Sequence, residues 1–133
     1  MKLTRRSEYA LLALVHLARA GGEGYVAVSA MAEAQRLPAK FLEQLLMTLK
    51  RAGLVKSQKG PHGGYRLGRP ASKITLAEIV RLLDGALAPT ESVSTYFYES
   101  TPVEREKKLM KVFKEIRDVV STKLEKTTLA DVA

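Results

Sequence analysis

Residues 59–64, with the sequence KGPHGG, restrict the fold more than any other segment of this chain. The residues on either side, 54–58 and 65–67, have the composition of short strands. A loop with three glycines and one proline between two strands predicts a β-hairpin. A glycine-rich loop can also cradle phosphate, but a P-loop needs a lysine and a hydroxyl group that open a helix directly after the glycines. A strand follows here, so we exclude a P-loop.

The residues before the hairpin predict a helix-turn-helix. Ser29 can cap a short second helix, and residues 36–37 form the turn after it. Pro38 suits the first position of a third helix, which closes at Gly53. The apolar face of this helix consists of Leu42, Leu45, Leu46 and Leu49. A helix-turn-helix followed directly by a hairpin is the order of elements in a winged helix.

The first helix begins near Thr4, a favourable N-cap, and ends at the glycine pair 21–22. Its residues at the spacing of a core-facing stripe are Leu11, Leu14, Val15 and Ala18. Paired arginines before an apolar run also occur in secretory signals, but Glu8, His16 and Arg19 interrupt the apolar character. We therefore expect a helix and a cytoplasmic protein. No other segment approaches the roughly 20 apolar residues of a membrane span.

Two capping-box sequences mark helix starts in the second half of the chain. Thr75 with Glu78 predicts a fourth helix, which ends at the Asp84–Gly85 step. Residues 86–101 after it are irregular. Thr101 with Glu104 then predicts a helix that reaches about residue 126, about 25 residues or ~37 Å long. A last short turn, capped at residues 127–128, follows it.

The long helix carries a wide apolar stripe that a chain of this size has little surface to cover. We expect the stripe to pack against the same helix of a second chain, giving a homodimer. Its residues are Leu109, Val112, Phe113, Ile116, Val119, Val120 and Leu124. The predicted fold is mainly α with a small β-hairpin. A winged helix-turn-helix domain spans 1–85, a sensor-like loop spans 86–101, and a dimerisation helix with a C-terminal turn spans 102–133.

The charge is concentrated in the first half of the sequence. The chain has 22 basic and 14 acidic residues, a formal net charge of +8. Residues 1–69 hold 12 basic and 4 acidic side chains, whereas residues 70–133 hold ten of each. Such an asymmetry is typical of a surface that meets a polyanion, either a nucleic acid or an anionic lipid.

The polar face of the third helix and the hairpin are the candidate DNA-binding elements. Glutamine, lysine and glutamate near a helix start can read adenine, guanine and cytosine in a major groove. A glycine-rich basic hairpin tip can approach the sugar-phosphate backbone, where Lys59 can enter a minor groove. An ordinary solvated helix face and a tight turn are the alternatives. The candidate DNA-binding residues are Lys2, Arg5, Lys40, Phe41, Glu43, Gln44, Lys50, Arg51, Lys56, Lys59, Pro61, His62, Gly63, Gly64 and Arg66.

No catalytic constellation and no cofactor site can be recognised. The chain has no cysteine, which excludes disulfides, thiol nucleophiles and cysteine-ligated clusters, and its two histidines are far apart in sequence. We expect neither an enzyme nor a metal protein. An adaptor that holds another protein remains an alternative to a DNA-binding regulator. An RNA binder is disfavoured, because single-strand readers present stacking aromatics on their basic surface.

Seven segments closely resemble the Rrf family of winged-helix transcription regulators. They are MKLT at 1–4, SEYAL at 7–11, FLEQLL at 41–46, AGLV at 52–55, GPHGGYRL at 60–67, ITLAEIV at 74–80 and TTLAD at 127–131. The resemblance implies a homodimer that binds a partly palindromic operator, usually as a repressor. It also implies that the third helix reads the major groove and that Lys59 of the wing enters the minor groove.

The resemblance also implies a member without an iron–sulfur cluster. Many members of the family hold a cluster through three cysteines between the fourth and the long helix, and residues 86–102 have none. Glu8 matches a position that supplies an acidic ligand in some members, but here we expect it to serve the first turn of its helix. Tyr96, Phe97 and Tyr98 lie in the corresponding loop. They can pack the loop on the dimer, line a pocket for a small effector, or receive a partner protein.

Overall fold

Helices and one small antiparallel sheet make up the structure, a computed structural model that describes residues 1–21 and 24–133. The helices are α1 (Arg5–Ala20), α2 (Val28–Gln35), α3 (Ala39–Arg51), α4 (Leu76–Asp84), α5 (Lys107–Lys126) and α6 (Leu129–Val132). The strands are β1 (Val55–Gln58) and β2 (Gly64–Leu67), and short 3-10 turns cover Ala71–Lys73, Glu91–Val93 and Pro102–Arg105. The predicted fold class is confirmed. Within the described ranges, no helix is long and apolar enough to cross a lipid bilayer.

Helix α1 begins where the sequence predicts. The Thr4 hydroxyl accepts a hydrogen bond from the backbone N–H of Ser7 at 3.3 Å, and Gly21 closes the helix with φ of 54°. The other glycine of the predicted stop, at position 22, lies outside the described residues. The buried positions are Ser7, Ala10, Ala13, Leu14 and Leu17.

The stripe predicted for α1 does face the core, but only Leu14 of it is fully buried. Leu11, Val15 and Ala18 are only partly buried and lie at the margin of the core. Apolar residues occupy more than one helical register in this segment. The positions that α1 buries include Ala10 and Ala13, whose small side chains allow neighbouring helices to approach closely.

Two predicted positions around α2 and α3 are wrong by one or two residues. Ala27, not Ser29, is the N-cap of α2, because Val26 is held extended by a pair of 2.8 Å backbone hydrogen bonds with Tyr65 and the helix begins directly after it. Pro38 is the N-cap of α3 and not its first residue. Between the two helices Arg36 adopts a left-handed conformation, with φ of 56°, that makes the turn.

The predicted hairpin is present, and it forms the wing. Val55 pairs with Leu67 at its base and Gln58 pairs with Gly64 at its tip. A Cβ at Gly64 would lie 2.1 Å from the Val26 carbonyl oxygen, and φ there is 141°. Only glycine fits this position, and its lack of a side chain lets the wing pack directly against the segment before α2.

Helix α4 starts at Thr75, whose hydroxyl accepts from the Glu78 backbone N–H at 3.1 Å. The reciprocal half of the predicted capping box is replaced, because the Glu78 carboxylate accepts from the Arg69 guanidinium. The helix ends at Asp84 and Gly85, as predicted. The Glu78 side chain, which the capping-box pattern predicts to bond the helix start, instead forms an ion pair with Arg69, nine positions earlier.

The second predicted capping box is wrong. The Thr101 hydroxyl bonds to Ser92 at 2.7 Å, and the Glu104 carboxylate accepts from Ser100 at 2.6 Å and from Tyr98. With both side chains engaged by the preceding loop, residues 102–105 form a 3-10 turn. The α-helix starts only at Lys107 and has 20 residues, about 30 Å.

The main core joins both ends of the chain. It contains buried residues of α1, α2, α3, β1 and α4, together with Leu129 of α6. Thr75 and Thr128 form a β-bridge, and Thr128 makes a full capping box with Asp131. The last turn of the chain is thereby attached to the helical body that carries α3. A smaller cluster of Ala77, Val80 and Leu87 holds α5 through Leu124.

Candidate nucleic-acid interface

Helix α3 presents a polar and cationic face opposite its buried leucines. The four predicted leucines are all buried. Apart from Ala39 at the helix start, the exposed residues are Lys40, Glu43, Gln44, Met47, Lys50 and Arg51. Because side chains three and four positions apart share one helix face, Lys40, Gln44, Met47 and Arg51 form a continuous row.

A first groove lies between this face of α3 and the start of α1. It has a volume of about 290 Å³ and is lined by Arg6, Phe41, Gln44, Leu45, Met47, Thr48 and Arg51. Phe41 is half-buried and packs edge-to-face on Tyr9, with 5.5 Å between ring centroids. The Arg5 guanidinium lies 6.0 Å from the Tyr9 ring. Arg6 was not among the predicted residues, and no spacing rule in the sequence separates it from Arg5.

A second groove lies between α3 and the wing. Its volume is about 590 Å³, and its lining consists of Met47, Lys50, Arg51, Ser57, Gln58, Lys59, Gly64 and Tyr65. Met47 and Arg51 line both grooves, so the two form one surface across the helix. The fold thus brings together residues of α3 and of the wing that are distant in sequence.

The wing tip is narrow and exposed. Gly60, with φ of 105°, accepts through its carbonyl from the Gly63 N–H at 2.9 Å, which closes the turn. Lys59, Pro61 and His62 are exposed on it. The absence of side chains at the two glycines keeps the tip thin enough to approach another backbone closely.

Nine of the predicted DNA-binding residues line neither groove: Lys2, Arg5, Lys40, Glu43, Lys56, Pro61, His62, Gly63 and Arg66. Arg66 is half-buried and its guanidinium lies 4.9 Å from the Tyr25 ring, beside a separate cavity. Lys56, its cross-strand partner, is exposed on the strand. Lys2 is exposed between two apolar residues that line a groove on α5.

The start of α1 is held by a carboxylate at the end of α4. Asp84, at the end of α4, accepts hydrogen bonds from the Thr4 backbone N–H at 3.1 Å and from the Thr4 hydroxyl. Burial raises the pKa of Asp84, but these two hydrogen bonds, together with Ser7 and the charge of Arg6, hold the pKa below its ordinary value. This contact positions the helix that borders the first groove.

The loop aromatics are exposed. Tyr96 is 69% exposed and stacks over the Arg81 guanidinium at 4.8 Å, while Arg81 also bonds Glu125 of α5. A hydrogen bond to Glu104 raises the pKa of Tyr98 above its ordinary value. Phe97 is the third exposed aromatic ring of this loop. The Tyr96 contact links the loop to α4, and Arg117 of α5 donates a hydrogen bond to the Val93 carbonyl of the loop at 3.0 Å.

Helix α5 has no buried residue in the single chain. Of its predicted stripe, Leu109, Val112, Ile116 and Val119 are exposed, and Phe113, Val120 and Leu124 are half-buried. Val119 is 72% exposed. An apolar groove of about 520 Å³ runs from this stripe to Met1, Leu3 and Pro89.

A winged helix-turn-helix with a basic exposed helix face and a basic wing defines a DNA-binding module. The family described as Rrf2, iron-dependent transcriptional regulator, matches residues 3–133. The HTH-type transcriptional regulator CymR of Bacillus subtilis (strain 168) is 37% identical over 133 residues, which cover 100% of this chain and 90% of that protein. This chain belongs to the Rrf2 family of DNA-binding HTH-type transcriptional regulators, which are not enzymes.

Solved structures agree with this assignment. CymR of B. subtilis, described as its global cysteine regulator, superposes with a TM-score of 0.81 at 35% identity, covering 100% of this chain and 96% of that one. CymR of Staphylococcus aureus gives a TM-score of 0.75 at 32% identity, covering 98% of this chain and 96% of that one. The resemblance to the Rrf family inferred from sequence is confirmed.

The iron named in the family description does not fit the residues of this chain. There is no cysteine to hold a cluster. No group of three or more histidine, aspartate or glutamate side chains among the residues the structure describes is placed to hold a metal ion. Glu8 lies in the first turn of α1, 3.9 Å from Arg5, where a negative charge favours the helix start.

Proposed function

We propose that two copies of this chain form a repressor that binds a partly palindromic DNA operator without an iron–sulfur cluster. The observation that carries the proposal is the single surface on which the exposed face of α3 meets the wing. Met47 and Arg51 border both of its grooves, and the basic excess of the chain lies in the half that forms it. A cationic surface that includes a helix and a thin hairpin matches the major groove and an adjacent minor groove of duplex DNA.

In this proposal α3 reads base edges in the major groove. The Gln44 amide pairs with adenine, Lys40 donates to guanine, and Glu43 accepts from cytosine. All three side chains are exposed on the first two turns of the helix, the part that contacts bases in other helix-turn-helix proteins. Lys50 and Arg51, on the last turn, contact phosphates and fix the register of the helix.

The wing binds the neighbouring minor groove. Lys59 enters the groove, while Pro61, His62 and the glycine backbone contact sugars and phosphates. Lys56 of the first strand adds a phosphate contact. Arg66 stabilises the wing through its stacking on Tyr25 and acts on DNA indirectly.

The exposed stripe of α5 supports the homodimer. Four large apolar side chains along one helix face are exposed in the single chain, and two-fold packing of α5 against α5 covers them in both copies. Phe113, Val120 and Leu124 extend the same face toward the body. Two recognition helices on one side of DNA then read half-sites about 10 base pairs apart or a multiple of that spacing.

We assign three functional parts to the chain. Residues 1–85 bind DNA, with Lys2 and Arg5 adding backbone contacts at the start of α1, and residues 102–133 dimerise. Residues 86–101 receive a signal, either a small effector or a partner protein, at Tyr96, Phe97 and Tyr98. The stacking of Tyr96 on Arg81 gives this loop contact with α4, and the hydrogen bond from the Arg117 guanidinium to the Val93 carbonyl gives it contact with α5.

Selection of bound duplexes from a random pool tests the proposed function. We expect recovery of a partly palindromic sequence bound by two copies of the chain. Recovery without symmetry contradicts the dimeric arrangement. If affinity is the same for every duplex tried, the chain is a protein-interaction adaptor and the repressor proposal is wrong. Transcription from a promoter that overlaps the selected sequence then distinguishes repression from activation.

A further inference from the structure

Met47 is the one large apolar side chain that α3 exposes, within the part of the chain the structure describes. It is 50% exposed, whereas the leucine face of the same helix is buried. Exposed apolar residues are common on proteins, so exposure alone does not make a site. The position of Met47 is distinctive because it lines both grooves of the proposed DNA surface, at the place where they join.

The neighbours of Met47 along the helix row are polar and cationic. Gln44 lies one turn before it and Arg51 one turn after it, and all three share one helix face. A surface that contacts only phosphates and polar base edges has no use for an apolar side chain at this point. The major groove of DNA presents one apolar group on its bases, the C5-methyl group of thymine.

We propose that Met47 is a specificity-determining residue that contacts the C5-methyl group of a thymine in each half-site. The inference rests on the proposed function, because it requires that α3 lie in the major groove. Met47 is about 4.5 Å further along the helix axis than Gln44, and stacked base pairs are about 3.4 Å apart. Because the two side chains are one helical turn apart, we expect the thymine close to the base pair that Gln44 contacts. The methionine side chain is unbranched and flexible, so it can adjust its conformation to contact a methyl group without a preformed pocket around it.

Replacement of thymine by uracil tests this contact, since uracil lacks only the methyl group. In the selected operator each thymine is replaced singly, and the dissociation constant of the purified full-length protein is measured by titration. We expect about a fourfold loss of affinity at one position in each half-site, which corresponds to ~0.8 kcal/mol for one buried methyl group. At the other thymines, replacement by uracil should not cause a loss of affinity that depends on Met47.

Three variants connect the effect to the side chain. In Met47→Ala the thymine-to-uracil affinity ratio at that position falls to about one, because both partners of the contact are then absent. In Met47→Leu, which keeps an apolar side chain of similar volume, the ratio stays above one. Leu82→Ala, at an exposed leucine of α4 outside the two grooves, is the matched control and keeps the ratio of the unsubstituted protein.

Two results overturn the inference while the proposed function stands. One is a selected operator in which uracil is tolerated at every thymine. The other is a ratio at the sensitive position that persists in Met47→Ala, which assigns the methyl contact to another residue. If the pool yields no preferred sequence, the proposed function fails and this inference fails with it.

Discussion

Removal of the Lys59 charge is the most direct test of the proposal that the wing contacts DNA. Lys59 is exposed at the wing, borders the groove with α3, and makes no ion pair among the described residues. Inside the minor groove its charge is therefore available to the phosphates that border the groove. Each neutralised phosphate releases counterions and adds about −0.9 to the slope of log affinity against log salt concentration. A dimer carries two copies of Lys59, so Lys59→Ala reduces the steepness of that slope by about 1.8.

The size of this effect is measurable over an ordinary salt range. Between 50 and 200 mM salt, a slope difference of about 1.8 corresponds to a roughly 12-fold larger loss of affinity for the unsubstituted protein than for Lys59→Ala. Fluorescence anisotropy of a labelled operator duplex at four or five salt concentrations gives both slopes. Lys107→Ala, which removes the same charge from the exposed start of α5, is the matched control.

Either of two results for the salt slopes would refute the reasoning. Equal slopes for Lys59→Ala and for the unsubstituted protein would show that the wing lysine neutralises no phosphate. Equal reductions for Lys59→Ala and Lys107→Ala would show that net charge, and not a contact at the wing, determines the salt dependence.

Three further predictions concern assembly and stability. Val119→Asp places a charge on the exposed face of α5 and should shift sedimentation from dimer to monomer at micromolar concentration, whereas an unchanged sedimentation coefficient would contradict dimerisation through this face. Because the pKa of Asp84 is lowered by its Thr4 partner, the stabilising contribution of the Asp84 carboxylate is present above about pH 3.8 and is lost as the pH falls through the lowered pKa. The difference in urea midpoint between the unsubstituted protein and Asp84→Asn should therefore shrink below about pH 4. A difference that stays constant with pH would refute this linkage. Gly64→Ala should lower the free energy of unfolding by about 1–3 kcal/mol, measured by thermal denaturation, because the new Cβ meets the Val26 carbonyl. Gly24→Ala is the control: no atom lies within 4 Å of its new Cβ, so its free energy of unfolding should be nearly unchanged.

The elements that the sequence predicts correctly are those with local causes. Glycines and a proline between two short strands produce the wing, and the Thr4 and Thr75 hydroxyls cap the helices that follow them. The four leucines of α3 are buried because a 3.6-residue period leaves one face for the core. In each case the determining residues are neighbours in sequence.

The errors have tertiary causes. Thr101 and Glu104 have the spacing of a capping box, but Ser92 and Tyr98 of the preceding loop bind both side chains and delay the helix to Lys107. The hydrogen bonds between Thr4 and Asp84 join residues 80 positions apart, and no local pattern indicates them.

In the candidate site, too, residues placed by local pattern could be predicted from sequence, and residues placed by tertiary packing could not. The exposed face of α3 follows from its period, so Lys40 and Gln44 could be selected from sequence. The turn of Arg66 toward Tyr25 depends on how the wing packs on the body, and Arg6 reaches the first groove only through the packing of α1 on α3.

The burial of Leu129 has a consequence for how far apart the two α3 helices of the proposed dimer can lie. This residue follows α5 by three positions and belongs to the same core as Leu42, Leu46 and Leu49 of α3, so the C-terminal end of the long helix is anchored in the body that carries α3. In a pair joined through α5, the crossing angle of the two long helices therefore sets the separation of the two α3 helices, with no flexible linker between them. The length of the operator spacer is then a property of helix packing at the dimer interface, and a change in that packing alters which spacer fits.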